Sequence, residues 1–112
     1  VQPRYNLWIE IDGQVVLSLW RADLLRAVGR DGSISAAAEA LGIPYRVAWQ
    51  KIHEMETRLG RKLVETQTGG QHGGGARLTP EAEHYLEQFD RFAHDLERFV
   101  VDSFAANFHL PD

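Results

Sequence analysis

Three glycines, Gly32, Gly42 and Gly60, cut the middle of the chain into two helix-length pieces separated by a turn too short to be a loop. No other feature restricts the fold as much. In "SISAAAEALG", Ser33 or Ser35 can cap the free N–H groups, alanines fill the body, and Gly42 ends the helix. "IPYRVAWQKIHEMETRLG" is the next helix, with Pro44 suited to its first turn. Ala48, Ile52, Met55 and Leu59 recur at helical spacing and are expected to face the core, leaving Tyr45, Arg46, Trp49, Gln50 and His53 on the other side. A small first helix, a glycine turn and a second helix that shows polar residues early form a helix-turn-helix, in which the second helix lies in the DNA major groove. Helical hairpins with a glycine turn are also common in ordinary cores.

The flanks narrow the choice. "YNLWIEIDGQVVLSL" alternates around Asp12-Gly13 and predicts a hairpin with strands near 5–11 and 15–18. "WRADLLRAVGRDG" places Trp20, Leu24, Leu25 and Val28 on one helical stripe that stops at Gly29 and Gly32. After Gly60, "KLVET" and "ARLT" read as short strands on either side of "QTGGQHGGG". Five glycines between Gly69 and Gly75 are costly in conformational entropy unless a special path is required. A phosphate loop would need Lys-Ser or Lys-Thr opening a helix, whereas "GGGARLT" leads into a strand. That leaves a flexible linker or the finger of a winged helix-turn-helix. Matching strands on both sides favour the wing, with glycines allowing close approach to the sugar-phosphate rail and Arg77 supplying charge. Thr79-Pro80 and the acidic turn after it start a last helix running from about Pro80 to Phe104. Its residues Tyr85, Phe89, Phe92, Leu96 and Phe99 step by 4, 3, 4 and 3, a coiled-coil seam. A helix of about 25 residues, roughly 37 Å long, outruns what so small a domain can cover, so part of the seam calls for a partner.

The net charge of −4 speaks against nucleic acid only as a sum. Residues 1–32 are balanced, residues 33–79 carry +2 and residues 80–112 carry −6, so the middle of the chain is free to meet phosphate. With no cysteine, thiolate metal sites, disulfides and thiol nucleophiles are excluded. The histidines at 53, 72, 84, 94 and 109 lack metal-ligand spacing. Glu81 and Glu83 point to different helix faces, and no Ser/His/Asp set has supporting context, so neither an enzyme nor a cofactor is expected. No membrane span or secretory signal is visible, which makes the cytoplasm the default address.

From the residues alone, Arg46 can donate two bonds to guanine, Gln50 can pair with adenine, and Tyr45 can reach a phosphate or a thymine methyl. Trp49 at its spacing is more often a packing residue than a base reader. Lys51, Arg58, Arg61 and Lys62 divide evenly between phosphate contacts and ordinary solvated charges. "GSISAAAEALG", "YRVAW", "LVETQTGG" and "GGGARLTP" closely resemble the N-terminal DNA-binding domain of ModE-type, molybdate-responsive transcription factors, which share their winged-helix plan with LysR-type regulators. The match is tight over half the chain and looser over nearly all of it. It implies a homodimer that packs through the first and last helices and addresses palindromic double-stranded DNA. Carried over, the groove candidates are Ser35, Pro44, Tyr45, Arg46, Trp49 and Lys51, and the wing candidates run from Thr68 through Gly69, Gly70, Gly73 and Gly74 to Gly75. Interface candidates are Trp20 and Leu24 with Tyr85, Phe89, Phe92, Leu96 and Phe99. Ala82 stands where the family often has glycine, and the molybdate sensor domain of such regulators is not expected here.

The expectation is one mainly α domain with small β (α+β) over residues 1–112: a β-hairpin in 1–19, helix-turn-helix and two-stranded wing in 20–79, and a long dimerisation helix in 80–108. The competing reading is a protein-interaction module that uses the acidic, aromatic last helix without DNA. A regulator with a small effector between subunits is a weaker third, because no pocket is legible.

Overall fold

In the computed structural model, which describes residues 1–67 and 74–111, the order is β1 (Trp8–Ile11), β2 (Gln14–Ser18), α1 (Leu19–Asp31), α2 (Ile34–Leu41), α3 (Tyr45–Leu59), β3 (Val64–Gln67), β4 (Gly75–Leu78) and α4 (Pro80–Asn107). Two separate antiparallel hairpins, β1–β2 and β3–β4, flank the three-helix body. The first turns on Asp12 (φ 51°) and Gly13 (φ 78°), the pair of positive φ angles that a tight two-residue hairpin requires. β1 begins at Trp8 rather than near residue 5. Its partner strand ends at Ser18, which pairs with Trp8 and also caps α1 by accepting the Arg21 N–H, so Leu7 meets the helix start instead, its carbonyl accepting the Leu19 N–H at 3.1 Å.

α1 runs past Gly29 to Asp31, so of the two expected stops only Gly32 is realised. A Cβ on Gly29 would stand 2.9 Å from the Leu78 Cδ1, so this glycine admits β4 against the helix. The helix ends at Gly32 (φ 78°), whose carbonyl then accepts the Ala76 N–H at 2.8 Å and ties β4 to the turn. Ser33, not Ser35, caps α2 through the Ala36 N–H. Pro44 precedes α3 as its N-cap, and no side chain caps that first turn. Glu56 reaches from α3 to accept the N–H groups of Leu63 and Val64 at 2.8 and 3.1 Å, which sets where β3 starts. Buried Thr79 donates to the Lys62 carbonyl and accepts the Ala82 N–H, joining the base of the second hairpin to α4.

Leu24, Leu25 and Val28 of α1, Ala37 of α2, Ala48, Ile52 and Met55 of α3, and Leu63 make a core closed to solvent. α4 lies on it through its N-terminal half, where Ala82, Leu86 and Phe89 are buried and Ala93 packs against them half-buried. Its remaining length extends the molecule to 58 Å along the longest axis, against 31 and 21 Å across. Leu24 and Phe89 therefore belong to the chain's own core and cannot also form an interface between copies, contrary to expectation. Of the other interface candidates, Phe92, Phe99 and Trp20 are exposed, whereas Tyr85 and Leu96 are half-buried.

Candidate nucleic-acid interface

α3 divides its residues as its period demands. Ala48, Ile52 and Met55 point into the core, and Tyr45, Arg46, Trp49 and Gln50 stand on the exposed side. At about 100° per residue these four, with His53, fall within one arc. The N-terminus of α2, the start of α3 and the base of the β3–β4 hairpin enclose an open cleft of about 320 Å³. Ser35, Tyr45, Trp49, Gly74 and Gly75, far apart in the chain, all line it. Arg46 and Gln50 are exposed on the neighbouring surface of α3, and Pro44 is exposed where the helix begins. Among the described residues no carboxylate pairs with Arg46, which leaves its guanidinium available to an external acceptor. Thr68, Gly69, Gly70 and Gly73 lie outside the described residues. At the tip's root, a Cβ on Gly74 would come within 2.6 Å of the Gln67 carbonyl oxygen, so the hairpin closes there only with glycine.

Two candidates fall elsewhere. Lys51 comes six residues after Tyr45, about 240° round the helix, on the flank away from the cleft. Its ammonium lies 3.7 Å from Glu54 and its carbonyl accepts from Arg21, so it belongs to an internal ion network. Arg77, next along β4 after the cleft-lining Gly75 and Ala76, is not part of the cleft wall. Its Nε donates to Glu65, its cross-strand neighbour, at 3.0 Å. Each of these two cations thus has a carboxylate partner of its own outside the cleft.

The same network contains Arg21 and Glu54, which the sequence did not mark, and Arg58, one of the undecided charges. Nearly buried Arg21 donates to Glu54 at 3.1 Å, while Arg58 donates to the Val15 carbonyl at 2.8 Å and stands 3.8 Å from Glu54. Together they fix α3 to α1 and to the first hairpin. Burial alone would raise the Glu54 carboxyl, but the bond from Arg21 and the charges of Lys51, Arg21 and Arg58 outweigh it and hold the group below its ordinary 4.5. A depressed carboxyl contributes stability that is full above the unfolded value and lost as pH falls through the folded one. Glu54→Gln is therefore expected to lower stability by about 1–3 kcal/mol at pH 7, and the gap to the natural chain should narrow below about pH 4.5. Urea denaturation at several pH values measures both; a gap that stays constant down to pH 2 would contradict the role assigned to this carboxylate.

Thr66 and Gln67 also line the cleft, and the imidazole of His53 stacks on the Trp49 indole at 3.7 Å between ring centroids. The four-residue spacing of Trp49 and His53 was the available signal. Among the described residues no cluster of three or more His, Asp or Glu side chains could hold a metal ion, and no helix is long and apolar enough to cross a membrane.

Comparison with known proteins agrees with this geometry. Residues 20–83 match the bacterial regulatory helix-turn-helix protein, lysR family. The chain is 44% identical over 90 residues to the molybdenum-pterin-binding protein MopB of Rhodobacter capsulatus, which is 80% of this chain and 33% of that protein. It is 41% identical over 93 residues to the DNA-binding transcriptional dual regulator ModE of Escherichia coli (strain K12), 83% of this chain and 36% of that one. The chain thus spans about a third of the length of the curated relatives it matches. Among solved structures, the CbnR DNA-binding domain in complex with DNA superposes with a TM-score of 0.64 at 24% identity, over 82% of this chain and all of that one. The BenM DNA-binding domain on the catB site 1 DNA gives 0.60 at 22%, over 83% of this chain and all of that one. Both share the winged-helix fold.

Proposed function

Since the chain belongs to the bacterial regulatory helix-turn-helix proteins of the lysR family, we propose that it binds double-stranded DNA sequence-specifically, as a cytoplasmic, homodimeric regulator of transcription. One observation carries this reading: Ser35, Tyr45 and Trp49 meet the base of the β3–β4 hairpin in a single cleft, beside the exposed Arg46 and Gln50. A helix about 10–12 Å across fits the major groove, which is about 12 Å wide, so the exposed arc of α3 can reach base edges. The glycine-rich hairpin then lies along the neighbouring backbone, where the lack of side chains permits close approach. The uncapped first turn of α3 leaves N–H groups and the positive end of the helix dipole for a phosphate. The relatives whose names describe transcriptional regulators point the same way.

Arg46 supplies the readout of guanine, and Tyr45 and Gln50 contact the adjoining positions. Phosphate neutralisation adds the sequence-independent share of the affinity and makes binding weaker as salt rises. Arg46→Ala is expected to reduce affinity by about 1–3 kcal/mol and to relax specificity at a single base pair of each half-site. Titration against a selected duplex and its point variants measures this. Equal weakening on every sequence, with a shallower salt slope, would instead make Arg46 a phosphate contact.

A further inference from the structure

We infer that His53 is a positioning residue for Trp49, and that the indole it holds reads the C5-methyl group of a thymine. The inference rests on the DNA-binding reading above and adds to it a base-specific contact and the side chain that aims it.

Trp49 is 44% exposed, which leaves a large apolar surface in water on the face of α3 that carries Tyr45 and Arg46. An indole so placed needs something to hold its plane. His53, one turn later, lies over it at 3.7 Å with the two rings inclined by 23°. The His53 Nδ1 is 2.9 Å from the Trp49 carbonyl oxygen, which can only accept, so this nitrogen donates and fixes the imidazole. The Nε2 faces the Glu56 Oε1 at 3.9 Å, and the Glu56 Oε2 takes the Leu63 and Val64 N–H groups. Glu56 thus stands beside the imidazole while it anchors the wing strand. The indole is thereby held in register with the hairpin base, and it borders the same cleft as Ser35, Tyr45 and Thr66. With one ring face against His53, what Trp49 offers outward is mostly apolar carbon. In the major groove, the apolar feature that distinguishes one base is the thymine methyl.

The test uses a duplex selected from a random pool by the natural chain. Each thymine is then replaced in turn by deoxyuridine, which removes the methyl and nothing else. The natural chain should lose about fourfold in affinity at one thymine position per half-site, the share expected from burying one methyl group. Trp49→Ala should erase that loss. His53→Ala should shrink it, and His53→Phe, which keeps an aromatic plane against the indole, should restore it. A merely structural His53 would not move the deoxyuridine difference. Insensitivity of the natural chain at every thymine would overturn the inference while leaving DNA binding intact, as would full sensitivity in Trp49→Ala or His53→Ala. Failure to select any duplex would overturn the DNA-binding reading itself.

Discussion

A chain carrying Phe92→Glu and Phe99→Glu together is expected to fold, to sediment as a single copy, and to lose about 10²–10⁴-fold in affinity for a duplex with two half-sites. Phe99 is 67% exposed and Phe92 51%, and both stand off the stripe of α4 that rests on the chain's own core. Phenyl groups left in water along one stripe of a helix are stabilised when a second copy covers them. Opposed carboxylates there would repel, yet they disturb none of the buried contacts made by Ala82, Leu86 and Phe89. A separated subunit would engage only one half-site at a time, so the advantage of linked binding disappears. The result is read by sedimentation together with titration of the duplex. A double variant that stays paired, or that keeps full affinity as a single copy, would contradict this use of α4.

Ile52→Ala carries the largest expected effect on stability. The side chain is fully buried where α3 meets the core, and truncation should cost about 2–5 kcal/mol. For a domain of this size that lowers Tm by roughly 8–20 °C. The same loss should leave Trp49 and Arg46 less firmly aimed, because Ile52 sits on the inward side of the helix that presents them. Thermal denaturation of the variant checks the first effect, and DNA titration well below its Tm checks the second. A change of less than about 1 kcal/mol would mean that the surrounding structure collapses into the space, which the close packing of this core argues against.

Much of the architecture was legible because local chemistry and the fold agree. Asp12-Gly13 called for a tight turn, Ser33 or Ser35 and Thr79 for helix starts, and Gly42 and Gly60 for stops; each is realised, the first helix start at Ser33. Errors arose where the deciding contact lies far along the chain. Gly29 looked like a stop because its reason, the approach of Leu78, comes from a strand almost fifty residues later. On α4 the regular spacing from Tyr85 to Phe99 suggested a single seam. The inward stripe instead runs through Ala82, Leu86 and Phe89, which divides that seam between the core and the surface. Within the candidate interface, Ser35, Tyr45 and Trp49 could be grouped from the motif, but the faces of Lys51 and Arg77 depend on packing and register. The link from Glu56 to the β3 backbone and the stacking of His53 on Trp49 are not set by residue spacing alone, because a carboxylate and an imidazole on a polar helix look like solvated surface until their partners are known.

The claim beneath all of this is that two copies of α3 are presented together to duplex grooves. Selection of bound sequences from a random duplex pool tests it most directly. A palindrome should emerge, its half-sites about one helical turn apart or a multiple of it, as a two-fold pair of recognition helices requires. Enrichment of a lone, unrepeated half-site, or no enrichment even at low salt, would contradict it.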